Sequence, residues 1–255
     1  MAAWWQNRMA AEKTMNAILN PKQPVVKHFV DDADTGLTVR YIGPEASATV
    51  TVAANGDLTF KHGDAGSEAV DDTVGASGVI DVSDAAYNTF GQVVDNINGS
   101  PNWEAYIVDA LRSDTSTDTL LAMSEATIAP KTDLALKKDT SVALNLGVRI
   151  GKRSAVTGSD DISAAEIYRI DSLNTYASGT SIINVYEIDE VEKTETLIYS
   201  AAGGATTVAD SKEFVVNGRG SLAVSRVGKH LLVKLVGSAA CTGSLAVIGA
   251  TATGM

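Results

Sequence analysis

The stretch that most constrains the fold is a strand–helix–strand unit, VIDVSDAAYNTFGQVVDNINGSPNWEAYIVDAL, over residues 79–111. Thr89 and Gln92 have the spacing of a capping box, in which each side chain satisfies a backbone N–H at a helix start. The apolar residues that follow recur at helical spacing and predict one buried helix face: Phe90, Val93, Val94 and Ile97. An alternating strand begins at Trp103. The pattern of this unit predicts how the chain packs, and it contains no recognisable catalytic or ligand-binding motif.

The residues before this unit predict three strands and a loop. Leu37, Val39 and Tyr41 alternate with polar residues, as in a strand with one buried face. Asn55-Gly56 lies between TVTVAA and DLTF and is a strong hairpin signal, because both residues tolerate positive φ. Residues 61–78 are polar and rich in glycine, so we expect a surface loop.

The residues after the unit predict a change of architecture. The polar stretch over 130–140 is the best candidate for a linker, and eight short apolar runs separated by turn residues follow it. Such spacing is typical of an antiparallel β-sandwich. We therefore predict a mainly β (α+β) protein. Its parts are an N-terminal helix and extended arm (1–36), a β-rich domain with one helix (37–129), a linker (130–140) and a β-sandwich (141–255).

The N-terminal arm is the candidate partner-binding segment. Residues 3–19 have the pattern of a helix, and Pro21 and Pro24 favour extended backbone after it. Two adjacent indoles near a terminus would expose a large apolar area in water, so docking on a partner subunit and packing on the chain's own body are both open. The predicted contact residues are Trp4, Trp5, Arg8, Met15, Lys22 and Lys27.

Charge is unevenly distributed along the chain. The segment 1–29 has a net charge of +3, the segment 214–255 has +4, and the segment 30–213 between them has −18. This segregation suggests that the two ends face something acidic, either the chain's own middle or a neighbouring subunit. The alternative is that the strands at the end are simply well buried. The overall charge of −11 argues against a nucleic-acid partner.

The remaining motifs give no reason to expect an active site, a cofactor or a metal. Cys241 is the only cysteine, so an intrachain disulfide is excluded, and no run reaches the length of a membrane span. The three histidines lack zinc-ligand spacing. Gly218, Gly220 and Ala223 match a dinucleotide-binding spacing, but a strand-like SLAV follows instead of a helix. Acidic pairs such as Asp71-Asp72 offer the oxygen ligands that calcium takes, but the twelve-residue EF-hand pattern is missing, so calcium is an alternative that we do not expect.

The order of motifs over residues 37–125 resembles a β-rich module of tailed-bacteriophage structural proteins. The likeness lies in ATVTV and NGDLTF, then DDTV, VIDVS, the helix TFGQVVDNIN and the strand WEAYIVDAL. The C-terminal part is similar to the small-residue-rich sandwiches of capsid-associated and receptor-binding phage proteins. The resemblance implies an oligomer, commonly a trimer, that is attached to a virion shell. It implies no catalytic residues.

Three functions follow as hypotheses. The first is a structural virion protein, made in the host bacterial cytoplasm, that decorates or cements a capsid. Its partners would be the major capsid protein or other virion subunits, with neither nucleic acid nor membrane. The second is a head- or tail-fibre adhesin whose C-terminal sandwich binds a host glycan through tyrosines such as Tyr186 and Tyr199. The third, a polysaccharide depolymerase, lacks a recognisable catalytic set, so we expect no enzyme.

Overall fold

The computed structural model contains two compact units, each rich in antiparallel strands. It describes residues 25–30, 35–117, 119–139, 145–150, 162–175, 180–189, 192–205, 208–213, 222–224, 229–237 and 242–253. The helix-containing unit holds 35–139 with Asn145, and the C-terminal unit holds 25–30 and the described residues from Leu146 onward. The predicted fold class, mainly β with one helix in the helix-containing unit, is confirmed among the described residues.

The helix-containing unit is built from two small sheets and one helix. One sheet has the order β7-β2-β9, and the other has the order β5-β4-β3-β8, with β6 also paired to β4. The elements are β2 Thr35–Tyr41, β3 Ser47–Val52, β4 Leu58–Gly63, β5 Ala69–Val70, β6 Val79–Ile80, α1 Phe90–Ile97, β7 Trp103–Ile107, β8 Met123–Ile128 and β9 Asp133–Lys137. The strand–helix–strand unit of the sequence thus connects the two sheets, because β6 lies in one and β7 in the other.

Helix α1 forms for the reasons that its sequence gives. The Thr89 side chain accepts from the Gln92 backbone, and the Gln92 side chain accepts from the Thr89 N–H at 3.1 Å, so the predicted capping box is present. Its apolar face is buried against β7 and β2. The predicted hairpin is also confirmed, since Gly56 has φ +88° and its N–H donates to Ala53 O.

The predicted linker over 130–140 is corrected by the structure, because β9 occupies its centre and pairs with β2. Asp133 accepts hydrogen bonds from Arg40 Nε at 2.8 Å and Tyr106 Oη at 2.9 Å. Burial, and then the carboxylate of Asp133, raise the pKa of Tyr106 to about 12. Lys138 is 1% exposed, and its Nζ donates to the backbone carbonyls of Asp109 and Asn145. The polar composition of this stretch therefore favoured a linker in the sequence analysis, although the stretch contains strand β9, whose Asp133 side chain bonds to the neighbouring strands.

The C-terminal unit contains two antiparallel sheets, and strands β11 and β16 of different sheets contact each other, as in a sandwich. One sheet has the order β1-β17-β11-β14 with β15 beside β11, and the other has the order β10-β16-β12-β13. The strands are β1 Val25–Val30, β10 Asn145–Ile150, β11 Ile162–Thr175, β12 Thr180–Asp189, β13 Thr194–Ala205, β14 Val208–Glu213, β15 Leu222–Val224, β16 Lys229–Gly237 and β17 Thr242–Thr253. Ala223, the last residue of the dinucleotide-like spacing, lies in strand β15, which agrees with the strand that the sequence predicted there.

The predicted domain boundary at the N-terminus also changes. Residues 25–30, assigned to the arm, form strand β1 and pair antiparallel with β17, so that Val25 lies opposite Gly249 and Val30 opposite Ser244. The alternation of the sequence could not reveal this pairing, because it joins segments from opposite ends of the chain. The predicted helix over 3–19 lies outside the described residues.

Candidate functional site

A cluster of polar side chains surrounds Asp71, a buried residue in the stretch that the sequence predicted to be a surface loop. After β4, the chain forms β5 and returns to β4, and Asp71 N donates to Phe60 O at 2.9 Å. Gly78 closes this return at φ +81°, where a side chain would collide with Val70 and the Asp71 carbonyl. The loop is thereby folded onto the sheet, and Asp71 is only 2% exposed.

Four donors converge on the Asp71 carboxylate. Its Oδ1 accepts from the Thr73 backbone N–H at 2.9 Å and from Thr73 Oγ1 at 2.6 Å. Its Oδ2 accepts from Asn102 Nδ2 and from Trp103 Nε1, both at 3.0 Å. A buried carboxylate is stable only when such bonds replace the water that it has lost. We call this cluster, together with His62 and Ser100, the Asp71 network.

His62 adds a partly buried ring to the network. Its Nε2 lies 3.3 Å from Asp71 Oδ2, and its ring stacks on Tyr41 at a centroid distance of 5.6 Å. Trp103 in turn meets Tyr41 and Phe60 in edge-on contacts, with centroid distances of 5.1 and 4.9 Å. The polar network therefore rests on an aromatic layer that fixes the positions of its donors.

Ser100 extends the network into the turn that precedes β7. Its Oγ lies 2.6 Å from Thr73 Oγ1 and accepts from the Asn102 backbone N–H at 3.2 Å. The network thus links the end of β4 and the loop after β5 to the turn between α1 and β7 and to the start of β7. Its hydrogen bonds hold the backbones of these segments in fixed positions relative to one another.

The electrostatics agree with an ionised Asp71. Burial by itself would raise the pKa of this carboxyl, but the hydrogen bonds from Thr73, Asn102 and Trp103 together outweigh it and hold the pKa below its ordinary value. The negative charge is stabilised by donors that are already in place. Ionisation of Asp71 and the folded loop therefore support each other.

The described hydrogen bonds of the network do not join a hydroxyl to its histidine. A hydroxyl nucleophile is commonly activated by a neighbouring base, of which histidine is one. Here the Thr73 and Ser100 hydroxyls bond to each other, and Thr73 also bonds to Asp71, whereas the polar neighbours of His62 Nε2 are Asp71 and Asn102. Within the part of the chain that the structure describes, no group of three or more His, Cys, Asp or Glu residues is arranged to hold a metal ion.

The partner-binding residues predicted from the sequence are not located by the structure. Five of them, Trp4, Trp5, Arg8, Met15 and Lys22, lie outside the described residues. Lys27 lies in β1, where its Cα is paired with that of Val247, but its side chain is outside the described set. Their role stays a prediction. Of the tyrosines considered for glycan binding, Tyr186 and Tyr199 are half-buried.

Sequence reasoning missed the Asp71 network, although one signal for it was present. Asp71-Asp72-Thr73 has the Asp-x-Thr spacing in which a carboxylate accepts from the residue two positions on, and Asp81 does the same with Ser83. This spacing indicates a turn but not its burial. Asp72, beside Asp71, is exposed, so the decisive difference between the two lies in their tertiary surroundings.

Comparisons with known proteins assign no family. No protein-family model and no curated protein matches the chain. Among solved structures, the chain is similar to one described as "Structure of infectious bursal disease virus Gx strain", with 12% identity, 89% of this chain and 70% of that chain covered, and a TM-score of 0.21. A TM-score this low does not establish a shared fold. Among the described residues, no helix is both long and apolar enough to cross a membrane.

Proposed function

We propose that this protein is a structural component of a tailed-phage virion that decorates or cements the capsid and is anchored by its N-terminal arm. The observation that supports the proposal best is the resemblance of residues 37–125 to phage structural modules. The segments that carry this likeness form a hairpin, a capped helix and a buried strand within one unit. The partners would be the major capsid protein or other virion subunits, and the protein would act as a homo-oligomer, with a trimer favoured.

The use of buried polar groups supports a structural role. In the helix-containing unit, the Asp71 carboxylate and the Lys138 ammonium hold backbone segments together through hydrogen bonds. Buried polar groups that are hydrogen-bonded in this way make the structure around them more rigid. A module of this kind suits a subunit that must keep its shape on a shell.

The composition of the arm supports its role as the anchor. The segment 1–29 is basic and contains two of the three tryptophans, whereas the segment 30–213 is strongly acidic. Aromatic and arginine side chains supply much of the binding energy at protein interfaces, because they fill well-packed pockets from which water is excluded. Trp4, Trp5 and Arg8 are therefore the expected anchors, and Met15, Lys22 and Lys27 the supporting contacts.

The test is binding to expanded empty phage heads. Full-length chain should co-sediment with the heads, and a chain lacking residues 1–20 should stay in the supernatant while keeping its circular dichroism spectrum. In the full chain, Trp4→Ala with Trp5→Ala should weaken binding at least about thirtyfold, since one anchor side chain contributes about 2 kcal/mol or more and each 1.4 kcal/mol is tenfold. Gln6→Ala with Asn7→Ala is the matched control. Undiminished binding of the truncated chain would refute the role of the arm.

A further inference from the structure

The chain contains three Asn-Gly pairs, at 55–56, 98–99 and 217–218. The first two lie among the described residues, and the third lies outside them. An asparagine followed by glycine readily loses its side-chain amide, because glycine has no side chain to hinder attack by its backbone nitrogen. The dipeptides at 55–56 and 98–99 are identical, so the difference between them lies in their surroundings.

The Asn98 amide is held by strand β7. Its Nδ2 donates to Ala105 O at 2.9 Å, and its Oδ1 accepts from Ala105 N at 2.7 Å. Ala105 is 4% exposed, so its backbone groups would be left unsatisfied if the amide turned away. The nitrogen that would attack, Gly99 N, donates to Asp95 O and Asn96 O at the end of α1. Reaction at Asn98 therefore requires the helix end and β7 to separate.

The described hydrogen bonds of the Asn55 amide stay within its own turn. Asn55 is exposed, its Nδ2 donates to Asp57 Oδ2 at 2.7 Å, and its Oδ1 accepts from Asp57 N at 3.3 Å. Water can replace such surface bonds at little cost. Gly56 is buried and its N donates to Ala53 O, so the turn must open before a base reaches this nitrogen. Opening one turn costs less free energy than separating packed elements.

We propose that Asn55 is a site of spontaneous deamidation in the folded protein and that the fold protects Asn98. Hydroxide takes the proton from Gly56 N, which attacks Asn55 Cγ and forms a cyclic imide. The bond from Cγ to Nδ2 breaks, and water protonates the leaving group to ammonia, which regenerates hydroxide. A second water opens the ring at either carbonyl and leaves aspartate or isoaspartate. No electrons are transferred.

Either product changes the end of the β3–β4 hairpin. A carboxylate takes the place of the amide that donates to Asp57 Oδ2, so an attractive contact becomes a repulsion between like charges. Asp57 Oδ1 also accepts from Val82 N at 3.1 Å and ties the hairpin to the residues after β6. Isoaspartate adds one carbon to the main chain of a turn that Ala53 N closes on Asp57 O at 2.8 Å. Deamidation should therefore loosen the hairpin.

Peptide mapping of the aged, purified chain tests the proposal independently of any capsid. Trypsin cleaves after lysine and arginine, so it places the three pairs in separate peptides, 41–61, 62–112 and 213–219. After incubation of the folded chain at mildly alkaline pH, mass spectrometry measures the deamidated fraction of each peptide, and fragmentation locates the residue. We expect Asn55 to react at least about tenfold faster than Asn98, a ratio that corresponds to about 1.4 kcal/mol. A smaller ratio would overturn the proposal, and so would an Asn55 as slow as Asn88, which threonine follows.

The same chain unfolded in urea is the matched control. It keeps both Asn-Gly pairs and removes the contacts that distinguish them. The rate at Asn98 should then rise to that at Asn55, because the bonds to Ala105 are gone. If the ratio of the two rates were the same in urea as in the folded protein, the local sequence would set it, and the proposal would be overturned.

The substitution Asn55→Asp tests the effect on the hairpin, because it builds the aspartate product into every chain. We expect a lower urea midpoint than that of the wild type. In an Asp57→Asn background, where the facing charge is removed, the same substitution should lower the midpoint less. An Asn55→Asp chain as stable as the wild type, or an equal effect in the two backgrounds, would refute the repulsion between residues 55 and 57.

Discussion

The substitution Asp71→Asn tests whether the Asp71 network holds the loop over 64–78 on the helix-containing unit. Asparagine keeps the shape of the side chain and one carbonyl oxygen, which can still accept from Thr73. Its amide nitrogen replaces Oδ2 and faces Asn102 Nδ2 and Trp103 Nε1, which are both donors. Two donors then lose their acceptor, and the Trp103 side chain is 1% exposed, so water cannot compensate.

The expected loss is about 3 kcal/mol of unfolding free energy. A buried donor that loses its acceptor, as Trp103 Nε1 does, costs about 1 to 3 kcal/mol, and the half-buried Asn102 adds a cost toward the lower end of that range. Removing a buried charge recovers part of the cost of its desolvation, which keeps the loss below the upper limit of about 6 kcal/mol.

Urea denaturation followed by tryptophan fluorescence measures this loss. In a background with Trp4→Phe and Trp5→Phe, Trp103 is the only indole, and it reports directly on the network. Asp72→Asn is the matched control, because Asp72 is the exposed neighbour and the charge change is the same. We expect its effect to stay within about 0.5 kcal/mol. Equal effects of the two substitutions, or a loss below about 1 kcal/mol for Asp71→Asn, would refute the reasoning.

Two further predictions concern the same loop. The pKa of Asp71 is lower in the folded state than the unfolded value of about 3.9, so its stabilisation is complete above that value and is lost as pH falls through the folded pKa. Urea midpoints measured across this acid range should therefore converge for wild type and Asp71→Asn, and a constant gap would contradict the linkage. Gly78→Ala should destabilise by about 1 to 3 kcal/mol more than Gly66→Ala, because the two have similar φ values but only Gly78 has neighbours within 4 Å. Equal thermal shifts for the two variants would show that backbone strain alone matters.

The network also explains why the loop could not be located from its composition. Asp71 and Asp72 are adjacent aspartates in one polar stretch, and the Asp-x-Thr spacing that begins at Asp71 indicates a turn but not burial. Asp71 is buried because two residues reach it: Asn102, which lies in the turn before β7, and Trp103, the first residue of β7, which is paired with β2. A polar, glycine-rich stretch predicts a turn, but it does not predict which carboxylate other segments will surround.

The sequence by itself determined the elements whose causes are local. The capping box of α1, its apolar face and the turn at Gly56 depend on contacts with near neighbours in the chain, and the alternation of the C-terminal runs depends only on the two-residue period of a strand. Tertiary structure alone decided that 133–137 pairs with β2, that 25–30 pairs with β17, and that Asp71 is buried. These features join segments that are far apart in the sequence. The contacts that stabilise these features are made with partners that no local pattern specifies. Every strand presents the same backbone donors and acceptors, so its sequence does not identify the strand that it will pair with.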